Sequence, residues 1–146
     1  MRIKSNEKRG VKVIEKSVGA IVVGPNGKYL LLNRPDKEGD FWEFPKGHQA
    51  RGEIEEKTLR RELSEEVGIR NFSYVGKFVG ENRYVNSAGN MRIIRLYMIK
   101  VQSDKIALSD EHKSYVWMSL GEAIEKLNHD TWRRILKDAD KTLKNT

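Results

Sequence analysis

The sequence predicts an α/β fold, a sandwich in which extended segments alternate with two or three helices. An apolar run at Lys16–Val23 predicts a buried strand near the start of the chain. The turn-forming residues 86–90 separate two further extended segments and predict a β-hairpin. Leu59, Leu63 and Val67 recur every four residues, which predicts an apolar stripe along a helix. Strands interleaved with helices in this way are typical of an α/β sandwich.

The elements of the first half follow in order. A Pro-Asn-Gly turn at residues 25–27 leads from the first strand into a second strand at Lys28–Asn33. Arg34–Asp40 is predicted to be a charged loop, and Phe41–Phe44 a short aromatic strand. The striped helix contains no Pro or Gly from Glu53 to Val67, and the glycine that follows can end it in a left-handed conformation.

The second half predicts a hairpin, one more strand and two helices. Ser119 and Glu122 have the spacing of a capping box, which predicts a helix from Ser119 through Leu127. The other elements are the strands Asn71–Val85, Met91–Val101 and Tyr115–Met118 and a last helix at about Asp130–Leu143.

The length of 146 residues predicts a single domain, which we place at residues 15–146. Residues 1–14 are predicted to form a basic, partly disordered N-terminal segment. No apolar run approaches 18 residues, so no membrane partner is expected. The N-terminus lacks the apolar core of a signal peptide, so we expect a cytoplasmic protein. The composition leaves the oligomeric state open.

The absence of cysteine excludes disulfides, a thiolate nucleophile and cysteine-ligated zinc or iron–sulfur clusters. The three histidines do not have the spacing of a metal-binding pair. The net charge of +7 suggests an anionic partner, either a polyphosphate substrate or nucleic acid such as RNA. Much of the excess lies near the two ends, in Arg2–Lys16 and Arg133–Lys144, where charge can also serve solubility alone, so the charge does not decide the partner.

An acidic cluster lies on the striped helix. Glu62 and Glu66 are one turn apart beside the apolar stripe, and Glu65 lies about 60° round from Glu62. Like charges at this spacing repel, and the C-terminal end of a helix disfavours negative charge. A hard divalent cation such as Mg²⁺ would remove the conflict, because it prefers carboxylate oxygens. The alternative is a solvated face on which Arg61 pairs with Glu65.

The cluster belongs to a longer pattern. Gly47, Glu53 and residues 61–69 match the Nudix box, G-x5-E-x7-R-E-U-x-E-E-x-G-U, where U is a bulky aliphatic residue, without a departure. The chain therefore resembles the Nudix hydrolases, which cleave nucleoside diphosphates linked to another group. The resemblance implies an α/β/α sandwich with a mixed sheet, in which the box forms a loop–helix–loop. It also implies a small nucleotide substrate and Mg²⁺ as cofactor, with Mn²⁺ as a substitute.

The resemblance assigns roles within the box. It implies metal ligands on the helix, and a backbone carbonyl at Lys46 or Gly47 that completes the metal shell. Glu53 and Arg61 are expected to orient the loop and the ligands. Outside the box, the resemblance implies that Glu111 approaches the metal site from another loop, with a solvated loop carboxylate as the alternative. The general base is left open between Glu62, Glu65 and Glu111. The expected catalytic carboxylates are Glu62, Glu65, Glu66 and Glu111, and the expected metal ligands are Glu62, Glu65, Glu66 and Gly47.

Two runs outside the box resemble the asymmetric diadenosine tetraphosphate hydrolases within the family. These are W-E-F-P-K-G-H at residues 42–48 and E-H-K-S-Y-V-W at 111–117. The subfamily usually has a base-stacking tyrosine where this chain has Leu96, with Tyr97 facing the other side of the strand. Tyr84 is the expected replacement. The expected substrate-binding residues are therefore Arg34, Lys46, His48 and Tyr84.

Three functions remain open at this point. The first is hydrolysis of a dinucleoside polyphosphate. The second is the same chemistry on a 5′-triphosphate RNA end, an ordinary or oxidised nucleoside triphosphate, a nucleotide sugar or an inositol pyrophosphate. The third is a non-catalytic module that senses nucleotides, against which the intact box argues, because binding alone does not need every glutamate.

Overall fold

A computed structural model describes residues 13–36 and 39–146, which form seven strands and three helices. The predicted N-terminal segment 1–14 lies outside the described residues, except for residues 13 and 14. The elements in chain order are β1 (Ile14–Val23), β2 (Tyr29–Asp36), β3 (Gly39–Glu43), β4 (Lys46–His48), α1 (Glu55–Val67), β5 (Ser73–Val85), β6 (Met91–Lys100), β7 (Ser114–Met118), α2 (Leu120–Lys126) and α3 (Asp130–Lys144).

The strands form one mixed sheet in the order β3-β2-β1-β6-β5, with β4 paired to β1 and β7 paired to β2. The β1–β6 pair is parallel and the other pairs are antiparallel. β5 and β6 form the predicted hairpin, which is interrupted by a bulge between Tyr74 and Val79. The predicted fold class is confirmed.

Helices cover both faces of the sheet because buried residues of β1 alternate between the faces. The stripe of α1 packs against one face, in a core that includes Val18 and Val22. α2 and α3 pack on the other face, in a core that includes Ile21 and Val23. α1 ends at Gly68, with φ of 72° as predicted, and the capping box of α2 is present. Within the described residues, no helix combines the length and apolarity that a membrane crossing requires.

The prediction of a charged loop at Arg34–Asp40 is wrong. Residues 34–36 continue β2 and residues 39–40 begin β3, and the two strands pair in a hairpin. The charged side chain of Arg34 is exposed and lies over the ring of Phe41, 5.3 Å from its centroid. Charge therefore did not prevent a strand here, because an outward side chain remains solvated while its backbone pairs.

Candidate active site

The three carboxylates of α1 differ in burial. Glu66 adjoins the apolar stripe and is only 7% exposed. The side chain of Glu62 is 15% exposed, whereas that of Glu65 is 59% exposed and lies 3.6 Å from Arg61. The side chains of Glu66 and Glu62 are therefore largely covered by the protein, whereas the side chain of Glu65 lies in solvent.

Glu62 lies against the backbone of the loop that precedes α1. A Cβ atom added to Gly47 would be 1.9 Å from the carboxyl carbon of Glu62. No side chain has room there, so glycine is required for this close approach. The box glycine thus lets the Glu62 carboxylate lie directly against the backbone of β4.

The register of β4 decides which carbonyl faces α1. Ala20 N–H donates to the carbonyl of Pro45, and Gln49 N–H donates to the carbonyl of Lys16. Because hydrogen-bonded residues alternate along an antiparallel pair, Gly47, which lies between Pro45 and Gln49, also has its backbone groups directed at β1. We infer that the Gly47 carbonyl points to β1 and the Lys46 backbone points away from it. Lys46 N–H indeed donates to Glu66 Oε1 at 3.2 Å. Of the two carbonyls left open by the sequence, that of Lys46 therefore faces the carboxylates.

Glu53 and Arg61 connect the loop to the helix. Arg61 donates to both carboxylate oxygens of Glu53, at 2.8 and 3.1 Å, and to the carbonyl of His48 at 3.1 Å. The Glu53 carboxylate also accepts from Ala50 N–H and from the Thr58 hydroxyl. Its pKa is lowered to about 2, mainly by the hydrogen bonds from Arg61. These contacts are those expected of residues that orient the loop.

A second loop, residues 107–113, is fixed to the end of α1. The last carbonyls of a helix lack partners within it. Here Ser109 N–H donates to the carbonyl of Glu66 at 2.9 Å, and Ala107 N–H to that of Val67 at 3.0 Å. This attachment carries Glu111 to the carboxylate of Glu66.

The structure adds two residues that sequence reasoning did not select, Glu43 and His112. Both are 8% exposed, and His112 Nε2 lies 2.8 Å from a carboxylate oxygen of Glu43. Arg34 and Lys46 each lie 3.5 Å from the other oxygen. The spacing of histidines along the chain does not indicate this site, because the partners of His112 lie on β3 and α1. The available signal was the pair of matched runs, which contain Glu43 and His112.

The pKa values of the two buried carboxylates, Glu66 and Glu43, are shifted in opposite directions. Burial raises the pKa of Glu66 from its usual 4.5 to about 7, and the charges of Glu62 and Glu111 add to that effect. Burial alone would also raise the pKa of Glu43. The hydrogen bond with His112 and the charges of Lys46 and Arg34 instead keep the pKa of Glu43 below its usual value.

The residues present fit a divalent cation. Glu66, Glu111 and His112 each place one donor atom within 4.8 Å of the other two. Two of the three donors are carboxylates, one of which is buried beside further negative charge. Carboxylate and carbonyl oxygens are the ligands that hard divalent cations prefer. Glu65 is the predicted ligand that lies furthest into solvent.

A cavity of about 610 Å³ opens beside this cluster. Glu43 and Lys46 form part of its wall and also contact the cluster through His112 and Glu66. Its other walls come from β2, β3, β5, β6, the end of α2 and the start of α3. The residues that line these walls include Arg34, Tyr84, Leu96, His129 and Trp132.

Three of the four predicted substrate residues line this cavity: Arg34, Lys46 and Tyr84. The side chain of His48 is exposed on β4 and is absent from the described cavity wall, while its carbonyl accepts from Arg61. Leu96 is fully buried in the cavity wall. Tyr97 faces the α1 side of the sheet and donates to Glu55.

Comparison with known proteins identifies the class to which this fold and site belong. The NUDIX domain family matches residues 14–139. The chain belongs to the Nudix family and is a hydrolase that acts on pyrophosphate bonds. Enzymes of this family generally use divalent metals, in agreement with the acidic cluster.

Individual relatives differ in substrate. The chain is 35% identical over 118 residues to the CTP pyrophosphohydrolase of Escherichia coli, covering 79% of this chain and 82% of that protein. It is 31% identical over 122 residues to the asymmetrical bis(5'-nucleosyl)-tetraphosphatase of Mus musculus, covering 82% of each. It spans only 56% of the MutT4 protein of Mycobacterium tuberculosis, at 29% identity over 145 residues. Among solved structures, a Caenorhabditis elegans Ap4A hydrolase in a binary complex superposes with a TM-score of 0.82, at 25% identity, covering 90% of this chain and 99% of that one.

Proposed function

We propose that this enzyme hydrolyses a pyrophosphate linkage in a dinucleoside polyphosphate such as diadenosine tetraphosphate, with Mg²⁺ as its cofactor. The observation that carries the proposal is the cavity of about 610 Å³ that shares Glu43 and Lys46 with the carboxylate cluster. A nucleoside bound there would direct its phosphates to the cluster. The similarity to the asymmetrical tetraphosphatases supports the same substrate.

The metal would be held by Glu66 and Glu111, with Glu62 and the Lys46 carbonyl beside them. When bound, Mg²⁺ neutralises phosphate oxygens and lowers the pKa of a coordinated water. Glu65 is exposed to solvent, so it could contribute to metal binding only from the outer edge of the site. Glu62 and Glu111 are the better candidates for the base, because both lie beside the cluster and keep contact with solvent.

Two cations line the path between cavity and cluster. Arg34 and Lys46 both lie 3.5 Å from Glu43, and both are part of the cavity wall. Their charges favour a phosphate chain entering from the cavity. We propose that they contact the phosphates, and that His48 instead positions the box loop through its carbonyl.

The far part of the cavity has the surfaces that a nucleobase needs. Tyr84 is 42% exposed on β5, while Trp132 and His129 present rings from the start of α3. Base–aromatic stacking contributes roughly 1–3 kcal/mol per base in nucleic-acid systems. Because Leu96 has no ring to stack, we propose that Tyr84 supplies the stacking contact.

The direct test is product analysis with Mg²⁺ on a substrate panel. We expect kcat/KM for diadenosine tetraphosphate to exceed those for ATP, CTP, 8-oxo-dGTP and triphosphorylated RNA, with ATP among the products. Tyr84→Ala should raise KM roughly tenfold, the equivalent of about 1.4 kcal/mol of lost stacking. The matched control is Tyr74→Ala, because Tyr74 is equally exposed but packs on Tyr97 across the sheet. Equal KM values for the two variants would contradict the role of Tyr84.

A nucleoside triphosphate is the second candidate substrate. The specific observation in its favour is the CTP pyrophosphohydrolase, which is the more similar of the two curated enzymes described above. A single nucleoside would fill the same cavity and leave the second nucleoside position unused. A higher kcat/KM for CTP or 8-oxo-dGTP than for diadenosine tetraphosphate would establish this alternative. The highest kcat/KM for triphosphorylated RNA would instead identify RNA as the substrate, in agreement with the basic residues near the two ends of the sequence.

A further inference from the structure

We infer that His112 supplies a nitrogen ligand to the divalent cation and that Glu43 is the positioning residue that directs it. The inference rests on the proposed metal site and adds a donor that the box does not contain. It also predicts which metals the site prefers.

The first observation is an unpaired nitrogen in a buried ring. The side chain of His112 is only 3% exposed. Its Nε2 contacts Glu43 at 2.8 Å, whereas its Nδ1 is buried and has no hydrogen-bond partner among the described residues. A buried polar atom without a partner is costly, so an unmade bond at this position points to a ligand.

The second observation is the position of the ring. A donor atom of His112 lies within 4.8 Å of carboxylate oxygens of both Glu66 and Glu111. Two ligands on one metal ion, each about 2.0–2.3 Å from it, are separated by at most roughly 4.6 Å. The three donors therefore need only a small adjustment to share one ion.

The third observation is the partner of Nε2. The Glu43 carboxylate is acceptor-only, so Nε2 donates to it, and in the neutral ring Nδ1 is then the nitrogen whose lone pair can bind a metal ion. Arg34 and Lys46 hold Glu43 from its other oxygen. A carboxylate behind a histidine in this way fixes the tautomer and orientation of metal-ligating histidines generally.

The donor set has a chemical consequence. Sites made of oxygen ligands alone suit Mg²⁺ and Mn²⁺, whereas an imidazole nitrogen favours later first-row transition metals such as Co²⁺, Ni²⁺ and Zn²⁺. The cluster should therefore bind Co²⁺ and Zn²⁺ more tightly than Mg²⁺. Replacing the imidazole of His112 should therefore weaken the binding of these transition metals more than it weakens the binding of Mg²⁺.

Pulsed electron paramagnetic resonance of Mn²⁺ bound to the full chain, without substrate, tests the inference. We expect ¹⁴N coupling from one imidazole, replaced by ¹⁵N coupling when the protein is grown with ¹⁵N-labelled histidine. The coupling should disappear in His112→Gln and persist in the matched variants His48→Asn and His129→Asn. The labelled wild-type protein keeps the test valid even if His112→Gln folds poorly.

The outcomes separate the two proposals. Bound Mn²⁺ without nitrogen coupling overturns the inference and leaves the carboxylate site intact. Coupling that survives in His112→Gln overturns it as well. Failure of the wild-type protein to bind Mn²⁺ contradicts the proposed metal site itself.

The positioning role of Glu43 has its own readout. Glu43→Ala should weaken Mn²⁺ binding roughly tenfold or more, in the range found for carboxylates behind ligating histidines, and Glu43→Gln should restore most of it. Asp40→Ala is the matched control, because Asp40 is an exposed carboxylate on the same strand. Equal Mn²⁺ affinity in Glu43→Ala and Asp40→Ala, measured by calorimetry, would contradict this role.

Discussion

Two polar clusters contact α1, and they differ in how completely their charges are paired. The first, which we term the closed cluster, consists of Glu55, Glu81, Arg83, Arg95 and Tyr97. Arg95 contacts both carboxylates at 3.0 Å, Arg83 contacts Glu81 at 2.5 Å, and Tyr97 donates to Glu55. Two guanidinium groups thus balance two carboxylates.

The second, which we term the open cluster, consists of Glu43, Glu66, Glu111 and His112. Arg34 and Lys46 both pair with Glu43, whereas Glu66 and Glu111 form no ion pair with an arginine or lysine side chain of the described residues. One buried nitrogen of the cluster also lacks a partner there, and burial raises the pKa of Glu66 to about 7. A cluster under such strain is disfavoured for stability alone, whereas the closed cluster satisfies its own charges. Unpaired buried charge, rather than the number of charged residues, therefore marks the functional site.

The largest expected effect is on catalysis by the open cluster. Glu66→Gln should lower kcat by at least about 10²-fold with folding intact, because an amide oxygen is a poorer divalent-metal ligand than a carboxylate. Glu55→Gln on the same helix is the control and should lower stability while leaving kcat near wild type. Steady-state rates and thermal melts of both variants measure the contrast. Near wild-type rates in Glu66→Gln would remove Glu66 from the metal site.

The next effect concerns pH and stability without metal. The pKa of Glu66 in the folded protein is about 7, above its usual 4.5, so the folded state binds more protons in that interval. The contribution of Glu66 to stability should therefore fall as pH rises from about 4.5 to 7 in EDTA, by on the order of 2 kcal/mol. Denaturant melts of wild type and Glu66→Gln should converge at low pH and diverge at high pH. Parallel curves across the interval would contradict the buried-carboxylate account.

The smallest expected effect separates two neighbours in one loop. Glu111→Ala should lower kcat/KM roughly tenfold, which corresponds to about 1.4 kcal/mol, because it removes a donor beside Glu66. Asp110→Ala removes the same charge from the same exposed loop without touching the cluster. Equal, small losses of kcat/KM in Glu111→Ala and Asp110→Ala would show that Glu111 is a solvated loop carboxylate and not part of the site.

Periodic patterns predicted most of the fold, because the elements concerned bury regular apolar faces. The stripe of α1, its end at Gly68 and the α2 capping box follow from local rules and are present. The pairing of residues 34–36 with residues 39–41 was missed because backbone pairing with a neighbouring strand, rather than a pattern of side chains, defines these strand ends. The short strand β4 was missed for the same reason.

The box motif gave the positions of the carboxylates in the sequence but not how deeply each one is buried. Burial of Glu66 and exposure of Glu65 depend on how α1 packs on the sheet. Glu43 and His112 lie 69 residues apart in the sequence and meet only through β3 and the loop that is bonded to the end of α1. Their roles therefore remain proposals that the metal experiments test.

Calorimetric titration of Mg²⁺ into metal-free protein tests the central claim most directly, because it needs no choice of substrate. We predict that wild type and Glu55→Gln bind with similar affinity, and that Glu66→Gln binds at least about tenfold more weakly. Equal affinities for Glu66→Gln and wild type would show that the open cluster is not the metal site.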